Sequence, residues 1–167
     1  MRLFIAVDFD EDINAALKKT VEQAKSAGVK GNFTRDTNFH MTLAFLGEQR
    51  DPEGAIDALK QLAFEPFEIE LEGVNHFNDL YYVNVQDSKN LEETARIIRS
   101  ALEENGIYFD PKPFKPHITL VRKAELPENY ALTFKNMTCP IKAIHLYRSE
   151  TIKNVLTYTN IYTLHAQ

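Results

Sequence analysis

Apolar residues recur along this chain at two spacings, and each change of spacing marks a change of element. Arg2 to Phe9 is a β-prone run rich in Phe, Ile and Val. Asp10 and Asp12 then offer helix-start side chains, and Ile13, Leu17, Val21 and Ala24 recur at helical spacing until Gly28 and Gly31. Asn32 to Arg35 has the length of a short strand, and Phe39 to Leu46 reads as a longer one ended by Gly47. Asp51-Pro52 is a cap and first-turn pair for a short helix marked by Ile56, Leu59 and Leu62. Phe67 to Val74 alternates apolar and acidic residues, as a half-exposed strand does, and Leu80 to Val85 pairs with it across Asn78-Asp79. Ser88 or Asn90 caps a long helix carrying Leu91, Ala95, Ile98 and Leu102, stopped by Asn105-Gly106. Pro111, Pro113 and Pro116 force an extended approach to another strand. Thr138 to Tyr147 and Val155 to Leu164 form a closing pair around a polar turn near Lys153-Asn154.

Within this pattern one short motif occurs twice: His40-Met41-Thr42-Leu43-Ala44 and, 77 positions on, His117-Ile118-Thr119-Leu120-Val121. In a strand, residues i and i+2 share a face. His40 and Thr42 therefore project together, as do His117 and Thr119, while Met41, Leu43, Ile118 and Leu120 point into apolar packing. The repeat predicts two similar lobes, each an antiparallel-type sheet with a helix on its outer face, whose inner faces meet at a cleft. No linker or break in composition divides them, so residues 1–167 are expected to form a single bilobal domain.

Composition narrows the function. The chain is 44% hydrophobic and 26% charged, enough to bury a core. Its formal charge of −5 argues against broad electrostatic binding to long nucleic acid but leaves room for a local phosphate site. Eight acids and two bases lie between Glu48 and Glu72, whereas Asp110 to Lys123 holds one acid and four bases, Lys112, Lys115, Arg122 and Lys123. The second motif sits in that basic stretch; the lysines read equally well as a solvated face. Cys139 is the only cysteine and reads as structural; with no signal peptide and no apolar run long enough to span a bilayer, a cytoplasmic monomer without membrane contact is expected.

The motifs carry proton-transfer chemistry. There is no Gly-x-Ser-x-Gly, Gly-rich phosphate loop, His-Glu-x-x-His or Cys-x-x-Cys, and two histidines alone are too few to hold a metal, so neither metal nor cofactor is expected. With an ordinary pKa near 6.5, one neutral imidazole takes a proton from water while one imidazolium protonates a leaving oxygen. Thr42 and Thr119 supply hydrogen bonds to the non-bridging oxygens of a phosphodiester. Arg122 would neutralise the phosphate, but five residues beyond His117 it falls on the opposite face of a regular strand. It reaches the site only if the strand ends or bulges, and is otherwise an exterior charge. Phe45 holds the matching position of the first copy. Arg122 and its basic neighbours near His117 would lower that pKa and favour a neutral base there. His76, His145 and His165 read as structural or solvent-facing.

The paired His-x-Thr-Leu motifs resemble those of the two-histidine (2H) phosphoesterases. The opening Met-Arg-Leu-Phe-Ile-Ala-Val, the run His40 to Glu48, Pro116 to Arg122, and the closing Leu146-Tyr147-Arg148-Ser149-Glu150 resemble the RNA 2′,3′-cyclic phosphodiesterase (2′-5′ RNA ligase) family. The resemblance implies a bilobal α+β fold with two pseudo-symmetric lobes of mainly antiparallel sheet, outer helices and a central cleft. It also implies metal-free opening of a 2′,3′-cyclic phosphate, on an RNA end or a nucleotide, to a 2′-phosphate. It places His40 and His117 as catalytic, with His40 the acid and His117 the base, and Thr42, Thr119 and Arg122 on the phosphate. Val121 stands where the family often has alanine. Two alternatives stay open: the reverse joining of such an end to a 5′-hydroxyl, and a non-catalytic RNA-end or nucleotide-binding module.

Overall fold

A computed structural model describes residues 1–167. In chain order the elements are β1 (Arg2–Val7), α1 (Glu11–Ser26), β2 (Lys30–Phe33), β3 (Met41–Glu48), α2 (Glu53–Lys60), β4 (Phe67–Phe77) and β5 (Leu80–Val85). α3 (Lys89–Glu104), β6 (His117–Glu125), β7 (Met137–Ile141), β8 (Ala143–Ile152) and β9 (Val155–His165) complete the chain. The strands form two antiparallel sheets, ordered β3-β1-β8-β9 and β2-β6-β5-β4-β7. The α+β class and the two sheet lobes agree with the sequence reading.

Neither sheet is a contiguous half of the chain. The first takes two strands from each end; the second takes β2 from the N-terminal region and the middle of the chain. The helices cross over as well. α1 follows a strand of the first sheet but packs on β6 of the second, while α3 follows a strand of the second and packs on β3 of the first, with α2 beside it. One continuous apolar core therefore joins both sheets and all three helices.

Local chemistry explains most boundaries. The Asp10 carboxylate accepts from Ile13 N at 3.0 Å and the Ser88 hydroxyl accepts from Leu91 N at 3.1 Å, each satisfying a free donor at a helix start. At α2 the cap position is Pro52, and Asp51 bonds Glu53 N from one residue further out. The short strand lies at Lys30–Phe33, two residues earlier than the sequence suggests, and Thr34 N beyond it still bonds Leu120 O of β6.

The run Thr138 to Tyr147 is not one strand. It breaks at Lys142, where the chain leaves β7 in one sheet and enters β8 in the other. Pro140 fits there because β7 is an edge strand and has no ladder donor to lose on its free side. No helix is long and apolar enough to cross a membrane.

Candidate active site

The two motifs lie on β3 and β6, which run against one another between the sheets. The alternation holds in both. Met41, Leu43, Ile118 and Leu120 are completely buried, while His40, Thr42, His117 and Thr119 are half-buried. His40 itself precedes the first ladder residue of β3.

Each strand then bulges at the same place. On β3, Thr42 faces Ala6 and Ala44 faces Ile5, which leaves Leu43 without a partner on β1. On β6, Thr119 faces Tyr82 and Val121 faces Tyr81, which leaves Leu120 without one on β5. Two consecutive side chains consequently turn inward, Leu43 with Ala44 and Leu120 with Val121, all fully buried. The alternation is reset, and the next residue, Phe45 or Arg122, joins the face of the histidine and threonine. This settles the parity problem at Arg122, which lines a cavity of about 780 Å³ together with His40 and Thr42.

The bulges are braced from outside. Leu43 O accepts from Arg99 Nε of α3 at 3.2 Å, and Arg99 Nη1 also donates to Lys112 O at 2.8 Å. Leu120 O accepts from Thr34 N at 2.9 Å, while Thr34 Oγ1 donates to Thr119 O at 2.8 Å. Gly31 lets β2 come this close. Its φ is +151°, and a Cβ there would stand 2.8 Å from Arg122 O.

The histidines are held alike. His40 Nδ1 lies 2.7 Å from Asn38 O, and His117 Nδ1 lies 2.7 Å from Lys115 O. A carbonyl can only accept, so Nδ1 carries the proton in both rings. Nε2 is thereby left to accept a proton in the neutral form or to donate one in the charged form.

Their surroundings differ. The His40 ring sits against Phe4 at 5.1 Å and edge-on to Tyr158 at 5.2 Å. Burial pushes its pKa below the ordinary 6.5; the Asn38 carbonyl opposes this, and the charges of His117 and Arg122 add to it. Sequence reasoning did not anticipate this lowering at His40, the ring enclosed by aromatic side chains. His117 meets the edge of the Tyr82 ring at 5.6 Å and borders a smaller recess with Thr42, Phe45, Lys112 and Lys115. Those two lysines, left undecided between a site and a solvated face, line that recess. Nowhere do three or more His, Cys, Asp or Glu side chains converge as a metal site would require.

Several residues of this region escaped the sequence reading: Arg99, Tyr158 and the pair Asp8–His145. His145 donates from Nε2 to Asp8 at 2.9 Å, and its Nδ1 meets the Thr163 hydroxyl at 2.9 Å. The hydrogen bond from His145 is the main reason the Asp8 pKa is lowered. His76 stacks on Tyr81, and His165 is exposed at the end of β9. Burial raises the Cys139 thiol pKa to about 12, aided by Asp10 and Asp8, so it stays protonated near neutral pH.

Two sheet lobes, each contributing a His-x-Thr strand beside adjoining cavities that share Thr42 and Phe45, have the arrangement of a two-histidine phosphoesterase. The profile of the 2′-5′ RNA ligase superfamily matches residues 10–152, and the chain belongs to that family. Similar proteins include an RNA 2′,3′-cyclic phosphodiesterase of Archaeoglobus fulgidus, 34% identical over 77% of this chain and 76% of that one. Another, of Thermotoga maritima, is 26% identical over 95% of this chain and 89% of that one. Among solved structures, TT0787 of Thermus thermophilus superposes with a TM-score of 0.81 at 29% identity, covering 99% of this chain and 97% of that one. E. coli LigT complexed with 3′-AMP gives a TM-score of 0.83 at 23% identity over 99% and 97%, a likeness of fold.

Proposed function

We propose that this chain hydrolyses the 2′,3′-cyclic phosphate at an RNA 3′ end, or on a nucleotide, to a 2′-phosphate, using two histidines and no metal. The observation that carries the reading is the pair of imidazoles beside adjoining cavities that share Thr42 and Phe45, each with Nδ1 committed to a carbonyl and Nε2 left for proton transfer. The names of the relatives supply the substrate class.

In the proposed reaction His117 Nε2 takes a proton from water as its oxygen attacks phosphorus. The bond from phosphorus to O3′ breaks, and His40 Nε2–H protonates O3′. The products are a 3′-hydroxyl and a 2′-phosphomonoester. Thr42, Thr119 and Arg122 hold the non-bridging oxygens, where charge builds in the transition state. Burial disfavours the proton on His40, and the phosphate anion opposes that bias by favouring the imidazolium. Substrate binding thus prepares the acid. Every group comes from one chain, which supports a monomer as the working unit.

The test is an RNA ending in a 2′,3′-cyclic phosphate, incubated with EDTA, followed by identification of the phosphate position. A 2′-phosphate is expected. Activity abolished by EDTA and restored by Mg²⁺ or Zn²⁺ would overturn the metal-free scheme, and binding without turnover would favour a non-catalytic module. A 5′-hydroxyl RNA in the same mixture reads the reverse joining, which the same groups would catalyse.

A further inference from the structure

We propose that Arg2 receives the phosphodiester on the 5′ side of the terminal nucleotide, so that the site prefers an oligonucleotide end to a free cyclic nucleotide. This rests on the function proposed above and goes beyond it by assigning a second phosphate position.

Three of the side chains lining the 780 Å³ cavity are arginines, and its rim also holds the N-terminal amine. Two of these four cations are engaged. The amine lies 3.3 Å from Glu48 and Arg148 Nε lies 3.4 Å from Glu150. Arg122 and Arg2 have no carboxylate within ion-pair distance. Arg122 lines the cavity with His40 and Thr42, where the proposed function puts the reacting phosphate. Arg2 stands apart, on the same face of β1 as Phe4 but two residues, about 6.6 Å, along the strand. Since Phe4 touches His40, Arg2 is displaced from the reacting centre by roughly one nucleotide step.

The Arg2 guanidinium is held in place by an aromatic ring, its carbon 5.0 Å from the centroid of Phe45. Phe45 is the counterpart of Arg122 in the first motif. The first lobe thus has a ring where the second has a cation, and that ring carries a cation from the neighbouring strand. A guanidinium stacked on one face keeps its edge donors free for a phosphate. With Arg2 over it, that face of Phe45 is closed to a nucleobase, which favours a phosphate reader here over a base platform. The charges of Arg122 and Arg2 both reach the Tyr158 hydroxyl, so the two cations flank one open space. The carboxylates at the Arg2 end of the cavity, Glu48 and Glu150, are already paired with the amine and Arg148, which leaves Arg2 available to an anion.

The experiment compares kcat/KM for a nucleoside 2′,3′-cyclic phosphate with that for a dinucleotide carrying the same cyclic end. The wild type should prefer the dinucleotide. In Arg2→Gln that preference should fall by about tenfold, the usual worth of one charge-assisted hydrogen bond, and Arg2→Lys should retain part of it. A dinucleotide with an uncharged methylphosphonate linkage should lose the same advantage with the wild type and lose nothing further with Arg2→Gln. A wild type that treats both substrates alike, or an Arg2→Gln variant whose losses are equal on both, overturns the assignment. Turnover of neither substrate removes the hydrolytic reading beneath it, a result distinct from either.

Discussion

β3 and β6 follow one backbone plan: a histidine tied by Nδ1 to the carbonyl two residues back, a threonine, and a bulged leucine. They differ in their neighbours. β3 is the edge of its sheet, and Arg99 of α3 and Asp110 N cap the Leu43 and Phe45 carbonyls that no strand reaches. β6 is an interior strand flanked by β2 and β5. His40 is packed between aromatic rings, whereas His117 borders lysines. The comparison separates two jobs. Backbone geometry aims the proton-carrying atoms and makes the two rings interchangeable in principle. Burial and the exchange of Arg122 for Phe45 make them unequal.

The most severe way to break the pair is to remove either ring. His40→Ala and His117→Ala should each lower kcat by about 10² to 10⁴, read by steady-state hydrolysis of a cyclic-phosphate RNA. A cyclic substrate whose leaving group needs no protonation sharpens the contrast. It should restore much of the His40→Ala rate and little of the His117→Ala rate, and the opposite pattern would exchange the roles.

Arg122→Gln makes the second copy resemble the uncharged first. A loss of about 10² in kcat/KM is expected, as for removal of one preorganised donor; a loss below threefold would place Arg122 outside the phosphate site.

The braces come next. Arg99→Met removes two hydrogen bonds from a charged donor and should cost about 1–3 kcal/mol. Thr34→Val removes one neutral bond at the other bulge and should cost about 0.5–1.5 kcal/mol. Thermal unfolding of both variants checks the order, which would reverse if the interior strand needed its brace more than the edge.

The smallest effect is on pH. Because burial holds the His40 pKa below 6.5, an NMR pH titration of the protein without substrate should show the His40 ring titrating below that value. With an unreactive phosphate ester bound the midpoint should lie higher, since the anion favours the imidazolium. Coincident midpoints would mean that phosphate does not bias His40.

The sequence made the elements legible wherever a local interaction decides them. Asp10 and Ser88 cap as their side chains suggest, the Leu80–Val85 hairpin partner is as read, and the His-x-Thr alternation survives intact. The bulges had a signal that could have been used: Leu43-Ala44 and Leu120-Val121 are adjacent apolar pairs that break alternation at equivalent points. The break at Lys142 had none, because both sides are β-prone and only the tertiary fold assigns them to different sheets. The Asp8–His145 bond and the aromatic enclosure of His40 join residues remote in sequence, and environments of that kind set pKa values. Charge proximity along the chain could not show the burial that lowers the His40 pKa.

The exchange of strands between the sheets also governs how the chain comes to be folded. β1 lies between β3 and β8, so Phe4 must find both Phe45 and Tyr147. The first sheet is incomplete until β9 has been synthesised, and the second waits for β7. Distant pairings of this kind carry a large loop-closure cost and slow the search. We expect one cooperative unfolding transition and slow refolding. Cutting the chain between its two motifs should leave fragments that fold only when mixed, since neither contains all the strands of either sheet.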